Sequence, residues 1–303
     1  MFVISDEVQR ARELDAPIVA LESTVITHGL PTPQNMELAL AMEEKVRGEG
    51  AVPATVALLD GQIRVGIGEA ELERLANTKD PVKVSRRDFA KVLVKKLDGG
   101  TTVAGTMLAA QKAGIQVFAT GGIGGVHRES YLDISTDLQA LSDTPMIVVC
   151  AGAKSILDLP ATLEYLETMA VPVVGYGTDE FPAFFSRHSG LGVSVRLDSP
   201  IEIAAFAKAH WDLGMKSAIL VTNPIPEEHS LDDDFINPII AQASANAQEK
   251  GIHGQALTPF LLARINELSG GKSLESNLVL LHNNAVLAAK IAKVMSGKTQ
   301  KQL

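Results

Sequence analysis

Short apolar runs alternate with longer stretches of helical spacing along almost the entire chain. This alternation predicts an α/β fold, a layered α/β/α arrangement in which helices cover both faces of a central β-sheet. We expect strands over 18–21, 52–59, 62–67, 117–120, 146–149, 173–176, 192–196 and 217–222. We expect helices over 33–48, 101–113, 157–169, 200–213, 234–250, 259–268 and 274–295. The Asp60-Gly61 pair suits a tight hairpin turn, so the central sheet should be mixed rather than purely parallel.

The length of the chain is sufficient for one sizeable core. Its 303 residues contain no long polar linker and no internal repeat, so we predict a single domain over residues 1–303. Aromatic residues make up only 4% of the sequence, and the core must therefore consist of Ala, Val, Ile and Leu. The last eight residues, SGKTQKQL, are predicted to form a frayed tail.

Charge and cysteine content exclude several classes of protein. The net charge is −9 and no basic block is present, which argues against nucleic-acid binding. No uninterrupted apolar segment approaches the roughly 18 residues of a membrane span, and the N-terminus is too charged for a signal peptide. The single cysteine, Cys150, fits a reducing compartment and should be an inert core residue within its apolar run. We therefore expect a soluble cytoplasmic protein.

Two glycine-containing motifs resemble nucleotide-binding loops but fail on spacing. A dinucleotide fingerprint that starts at Gly122 requires glycine at position 127, where the chain has His127. A P-loop that ends in the GKS of 271–273 requires glycine where Asn266 stands. NAD-dependent dehydrogenases and NTPases are therefore poor interpretations.

Polar residues follow apolar strands at several points, and the crevice beyond the strand ends is the usual ligand site of an open α/β sheet. In ALESTVITHGLP, Glu22 directly follows the apolar run and is surrounded by hydroxyl groups and an imidazole. Such a cluster can bind a polar ligand and tune a carboxyl group for proton transfer. The alternative for a lone glutamate is a helix cap or a surface carboxylate.

Lys154 is the second candidate, in the segment PMIVVCAGAKSILDLP. It stands where a buried strand and a glycine turn are followed by a predicted helix. Partial desolvation, the positive end of a helix and a second cation nearby would all favour the neutral amine. A neutral amine attacks carbonyl groups and forms a Schiff base, so Lys154 is a candidate nucleophile. The alternative is an ordinary surface lysine.

Two further segments could bind anions or a metal ion. The threonines at 101–102 open a predicted helix, whose free N–H groups suit a phosphate, although an ordinary N-cap is the alternative. In TGGIGGVHRESYLDISTDL, the glycines allow close approach of the backbone, and His127 and Arg128 can contact anionic oxygens. Asp133 and Asp137 lie four apart, with hydroxyl residues between them. Hard divalent cations prefer such oxygen ligands, and helix capping is the alternative.

Six motifs together resemble one known family. In chain order, ALESTVITHGLP, KVSRRD, GGTTVAGTM, FATGGIGGVHR, DISTDL and CAGAKSILDLPATLE are similar to the pseudouridine-5′-phosphate glycosidase family, also called indigoidine synthase A-like. TNPIPEEHSLD and GKSLESNLVLLHNNAVLAAKIA match it too, so the likeness spans about residues 4–294. Two departures are present: HRESYLDIS is two residues shorter than the usual HRGAEETFDIS, and DISTD replaces DISAD.

The resemblance implies a cytoplasmic lyase of pseudouridine catabolism. Such an enzyme reversibly cleaves the C–C glycosidic bond of pseudouridine 5′-phosphate to give uracil and ribose 5-phosphate, uses Mn²⁺ or another divalent cation, and forms a homotrimer. By motif, Glu22 is the expected proton donor, Lys154 the Schiff-base nucleophile and Asp133 the metal ligand. The expected substrate contacts are Lys83, Val103, His127, Ser135, Thr136, Asp137 and Asn277.

The chemistry of a C-glycoside agrees with these roles, because the departing carbon must be protonated and the sugar must supply an electron sink. An amine, an acid and an anion seat meet this need, whereas ordinary glycosidases use two carboxylates. One alternative is a Schiff-base aldolase that acts on another sugar phosphate, usually on a (β/α)₈ barrel, which the hairpin and uneven spacing disfavour. A sugar-phosphate-binding or regulatory protein is the non-enzymatic alternative.

Overall fold

The computed structural model describes residues 1–128 and 130–296, except for the side chains at positions 130, 131 and 255. The predicted frayed tail lies outside the described residues from position 297 onward. The strands are β1 (Phe2–Ile4), β2 (Ile18–Leu21), β3 (Val52–Leu59), β4 (Gln62–Val65), β5 (Val82–Val84), β6 (Gly99–Thr101), β7 (Val117–Ala119), β8 (Val126–His127), β9 (Ser130–Ile134), β10 (Ile147–Cys150), β11 (Leu157–Asp158), β12 (Val173–Tyr176), β13 (Val195–Leu197) and β14 (Ile219–Thr222).

Helices separate and follow these strands. They are α1 (Asp6–Glu13), α2 (Gln34–Gly48), α3 (Glu69–Ala76), α4 (Phe89–Lys95), α5 (Val103–Lys112), α6 (Thr136–Asp143), α7 (Leu159–Thr168), α8 (Pro200–Asp212), α9 (Asp233–Glu249), α10 (Leu257–Leu268) and α11 (Lys272–Met295). A short π-helical turn, Val25–Gly29, follows β2, and a 3₁₀ turn, Arg86–Asp88, follows β5.

Within the described part of the chain, eleven strands form one sheet. Its order is β1-β4-β3-β2-β7-β10-β14-β12-β13, with β6 paired to β3 and β5 paired to β6. The pairs are parallel except for β3 with β4 and β3 with β6. The predicted α/β/α architecture with a mixed central sheet is therefore confirmed, and the Asp-Gly turn joins an antiparallel hairpin as expected. A smaller antiparallel sheet has the order β11-β8-β9.

The central strands are unbroken apolar runs because helices cover both of their faces. Every residue of β10 is fully buried, including Cys150, and burial raises the pKa of its thiol to about 12. This agrees with an inert core cysteine. The helix α11 has the length and composition of a membrane span, but half of its most apolar window is buried, and it packs against β2, β7 and β10. It is a core helix of this fold.

Two predicted helices start two residues too early, and both errors have the same cause. The predicted helix 101–113 begins at Val103, because Gly99–Thr101 pairs with β3 as a strand. The predicted helix 157–169 begins at Leu159, because Leu157–Asp158 pairs with β8. Strands of two or three residues are too short to show a period in the sequence, so only pairing with a distant partner reveals them.

Candidate active site

The structure brings the ten predicted site residues to one cavity of about 360 Å³, a volume typical of small-molecule sites. The cavity lies beyond the carboxyl ends of β2, β7 and β10, where an open α/β sheet usually binds its ligand. The ten residues in its lining are Glu22, Lys83, Val103, His127, Asp133, Ser135, Thr136, Asp137, Lys154 and Asn277.

Glu22 immediately follows β2 and faces the cavity. The hydroxyl of Thr120, the residue after β7, donates a hydrogen bond to Glu22 Oε1. Burial raises the pKa of the Glu22 carboxyl, although the charges of Lys154 and Lys83 act in the opposite direction. The negative charge of Asp137 adds to the increase. The pKa of Glu22 is thus shifted upward, in the direction that suits a general acid.

Lys154 lies in the loop after β10, not at the start of a helix. Its backbone N–H donates to the carbonyl of Ile123 at 3.1 Å, and its own carbonyl accepts the N–H of Leu157 at 3.0 Å. The loop is thus held against the glycine-rich segment that follows β7. Because α7 begins only at Leu159, the expected placement of Lys154 at a helix N-terminus is wrong. The strand end, rather than a helix dipole, sets its position.

Lys83 is the second cation near Lys154 that the sequence analysis considered. It is the central residue of β5, and burial together with the charge of Lys154 lowers the pKa of its amine. The charges of Asp137 and Glu22 partly offset this decrease. Two amines and two carboxyl groups therefore interact electrostatically around one side of the cavity.

Asp137 clamps three segments of the site together. Its Oδ1 accepts the N–H of Ala104 at 3.0 Å, and its Oδ2 accepts the N–H of Gly124 at 2.9 Å. Its own N–H donates to Ser135, the N-cap of α6. A Cβ atom at Gly124 would meet the Ser135 side chain and lie 2.9 Å from Asp137 Oδ2, so only glycine fits there. The start of α5, the glycine-rich loop and α6 are thus fixed relative to one another.

This clamp changes the interpretation of the threonines at 101–102. Thr101 is fully buried and donates to the Val56 carbonyl, whereas Thr102 caps α5 by accepting the N–H of Gly105. The N–H of Ala104 is already bonded to Asp137. The N–H groups of Ala104 and Gly105 therefore bond to groups of the protein itself, which supports the N-cap interpretation of Thr102.

His127 and His28 line the cavity, whereas Arg128 does not. The guanidinium of Arg128 donates to the carbonyls of Ser155 and Leu157 at 2.8 and 3.1 Å, so it supports the Lys154 loop rather than facing the cavity. His127 lines the cavity from β8. His28 also lines it, but burial and the charge of Lys83 lower the pKa of its imidazole, and Nδ1 is 2.7 Å from Thr27 Oγ1.

Sequence reasoning missed part of the cavity wall. Arg87, in the 3₁₀ turn after β5, lines the cavity with a side chain that is 73% exposed. Phe184 is buried at a positive φ of 67°, and a Cβ atom at Gly122 would lie 2.6 Å from its ring. The motif KVSRRD contained a signal for Arg87, but nothing near Phe184 indicated a site. The α10 side also contributes Thr258, Pro259 and Leu262.

An open α/β sheet with a lysine and a carboxyl group of raised pKa beyond its strand ends is typical of enzyme active sites. Comparison with known proteins identifies the family. Residues 7–294 match the model of the indigoidine synthase A like protein family, and the chain belongs to that family. The chain is 55% identical over 291 residues to the pseudouridine-5′-phosphate glycosidase of Caldanaerobacter subterraneus subsp. tengcongensis, covering 95% of each protein. It is 53% identical to the protein of the same name from Clostridium botulinum, covering 97% of this chain and 96% of the relative.

Solved structures show the same fold. The prealnumycin C-glycosynthase AlnA in complex with ribulose 5-phosphate aligns with a TM-score of 0.91 at 41% identity, covering 100% of this chain and 99% of that one. An indigoidine synthase A-like protein from Thermotoga maritima aligns with a TM-score of 0.89 at 35% identity, covering 96% and 95% of the two chains.

Proposed function

We propose that the protein cleaves the C–C glycosidic bond of pseudouridine 5′-phosphate to give uracil and ribose 5-phosphate. The observation that carries the proposal is a carboxyl group with a raised pKa, Glu22, facing the amines of Lys154 and Lys83 in one cavity. The glycosidase name of relatives that are 53–55% identical over nearly the whole chain supports the same activity.

The proposed reaction uses Lys154 as nucleophile and Glu22 as acid. The Lys154 amine bonds to C1′ as the bond from C1′ to the ring oxygen breaks, and the amine proton passes to that oxygen. Glu22 then gives a proton to C5 of the base. The lone pair of the lysine nitrogen forms a C=N bond to C1′, and the electrons of the broken C1′–C5 bond restore the C5–C6 double bond of uracil. Water hydrolyses the Schiff base, releases ribose 5-phosphate, and returns a proton to Glu22.

The cavity walls suggest how the substrate is held. Lys83, Arg87 and His127 are the basic side chains that we propose for the 5′-phosphate, because charge-assisted hydrogen bonds to anions are stronger than neutral ones. Phe184 and Leu281 form an apolar part of the wall that suits the flat face of uracil. This assignment replaces the helix start at 101–102 as the phosphate seat.

Asp133 is the residue that we propose for a hard divalent cation such as Mn²⁺. Asp133 is exposed on β9 and lines the cavity, where it offers carboxylate oxygens. Among the described residues, no group of three or more His, Cys, Asp or Glu side chains comes together to hold a metal. We therefore propose that Asp133 holds the cation with water or substrate oxygens as the other ligands, a common arrangement for hard cations. When bound, the cation would supply positive charge near the sugar phosphate.

Release of uracil from pseudouridine 5′-phosphate, followed by its absorbance in the presence of Mn²⁺, tests the proposal directly. Incubation of uracil with ribose 5-phosphate tests the reverse direction, which the likeness to a C-glycosynthase favours as a second activity. A Schiff-base aldolase would release no uracil, and a binding protein would retain the nucleotide without turnover. The sheet of this protein is open, whereas such an aldolase usually has a closed (β/α)₈ barrel. Homotrimer formation and a cytoplasmic location stay predictions.

A further inference from the structure

A buried polar chain lies directly behind Glu22. Thr120 is fully buried directly after β7, and its hydroxyl donates to Glu22 Oε1. Its backbone N–H donates to the carbonyl of Val149 at 3.0 Å, which fixes the end of β7 against β10. Its carbonyl accepts the side-chain amide of Asn284 at 2.8 Å. Every polar group of Thr120 is therefore bonded to a different part of the fold.

The chain continues into the core helix. Asn284 lies on α11 and is fully buried, and its Oδ1 accepts the side-chain amide of Asn223 at 3.1 Å. Asn223 follows β14, and its backbone N–H donates to the carbonyl of Cys150 at 2.8 Å. Buried polar side chains are costly unless they are bonded, and bonded networks of this kind hold one arrangement rigidly. This network ties the ends of β7, β10 and β14 to α11 beneath the cavity.

We propose that Thr120 is a positioning residue for Glu22 and that Asn284 holds Thr120 in place. The inference rests on the proposed role of Glu22 as the acid. Because Thr120 donates to Oε1, the acidic hydrogen of Glu22 is confined to Oε2, the oxygen that remains for the substrate. Thr120 itself does not line the cavity in the described structure, so it acts on the reaction only through Glu22.

The proposal has a consequence for the pH dependence of the reaction. The groups that interact with Glu22 are Lys154, Lys83 and Asp137, together with the Thr120 hydroxyl, whose hydrogen bond favours the ionised carboxylate. Removal of this bond leaves the other groups unchanged and raises the pKa of Glu22 further. The alkaline limb of the rate profile, which reports loss of the acidic proton, should then move to higher pH.

The experiment compares Thr120→Val, which keeps the shape, with Thr120→Ser, which keeps the hydroxyl. Thr120→Val should lower kcat for uracil release about tenfold or more, a part of the 10²–10⁴-fold that a positioned acid contributes. KM should stay unchanged, and the alkaline limb of the pH–rate profile should shift to higher pH. Thr120→Ser should keep most of the wild-type rate. Thr222→Val is the matched control, since Thr222 is an equally buried strand-end threonine whose hydroxyl donates to the Val174 carbonyl.

Three results would overturn the proposal: a wild-type kcat in Thr120→Val, no difference between the Val and Ser variants, or the same loss in Thr222→Val. If Thr120→Val does not fold, Thr120→Cys replaces it, because a thiol is a weak donor and should cause the same kind of loss. Absence of uracil release by the wild-type protein would instead refute the proposed function. The two failures are thus distinguishable in one assay.

Discussion

Replacement of Asp137 by asparagine should destabilise the protein strongly although the two side chains have almost the same shape. Asp137 is 5% exposed, and its two oxygens accept the N–H groups of Ala104 and Gly124. Asparagine has one acceptor, so its amide would face one of these N–H groups donor to donor. Loss of one charge-assisted bond costs about 1.5–3 kcal/mol, and the unpaired N–H adds about 1–3 kcal/mol. We expect the free energy of unfolding to fall by about 2.5–6 kcal/mol.

Urea unfolding followed by circular dichroism measures this change, and Asp158→Asn provides the control. Asp158 is the N-cap of α7, and within the described part of the chain its side chain accepts one N–H, that of Ala161, at 3.0 Å. Asparagine is as good an N-cap as aspartate, so Asp158→Asn should change stability little. A decrease in the free energy of unfolding below about 1 kcal/mol in Asp137→Asn, or equal decreases in both variants, would show that the Asp137 carboxylate does not hold the three segments together.

Five other predictions concern the chemistry and the titration of the cavity residues. Borohydride reduction in the presence of ribose 5-phosphate should add one sugar phosphate to the peptide that contains Lys154; a label on Lys83 instead would disprove the assignment. Asp133→Ala should weaken Mn²⁺ binding measured by calorimetry, and an unchanged affinity would locate the cation elsewhere. Arg87→Ala should raise KM for pseudouridine 5′-phosphate but not for free pseudouridine, and equal effects on both would contradict a phosphate contact. Glu22→Gln should slow uracil release by about 10²–10⁴-fold while the Lys154 adduct still forms. Because the folded pKa of Glu22 is raised above its ordinary value of 4.5, ionisation costs stability as the pH rises through the folded pKa. The thermal midpoint of Glu22→Gln should therefore exceed that of the wild type at alkaline pH but not at pH 4.5; the same difference at both pH values would exclude a titrating Glu22.

The sequence by itself determined the central strands and the position of the two main candidates. The apolar runs Ile18–Leu21 and Val52–Leu59 are strands with the predicted bounds, because four to eight apolar residues in a row suit a sheet that is covered on both faces. Glu22 and Lys154 each follow such a run. Since the carboxyl ends of parallel strands meet at one edge, their convergence on one cavity could be expected from chain order alone.

Only the tertiary structure decided which partners the polar groups of the site take. The sequence placed Thr101 and Arg128 near an anion, yet the fold offers Thr101 the carbonyl of Val56 and Arg128 the carbonyls of the Lys154 loop. The bond from Thr120 to Glu22 joins residues 98 positions apart. A hydrogen bond depends on angstrom-scale distances between groups that distant segments bring together, whereas a sequence pattern records only the period and polarity of one segment. The residue types were therefore readable from the sequence, and their pairing was set by the packed sheet and helices.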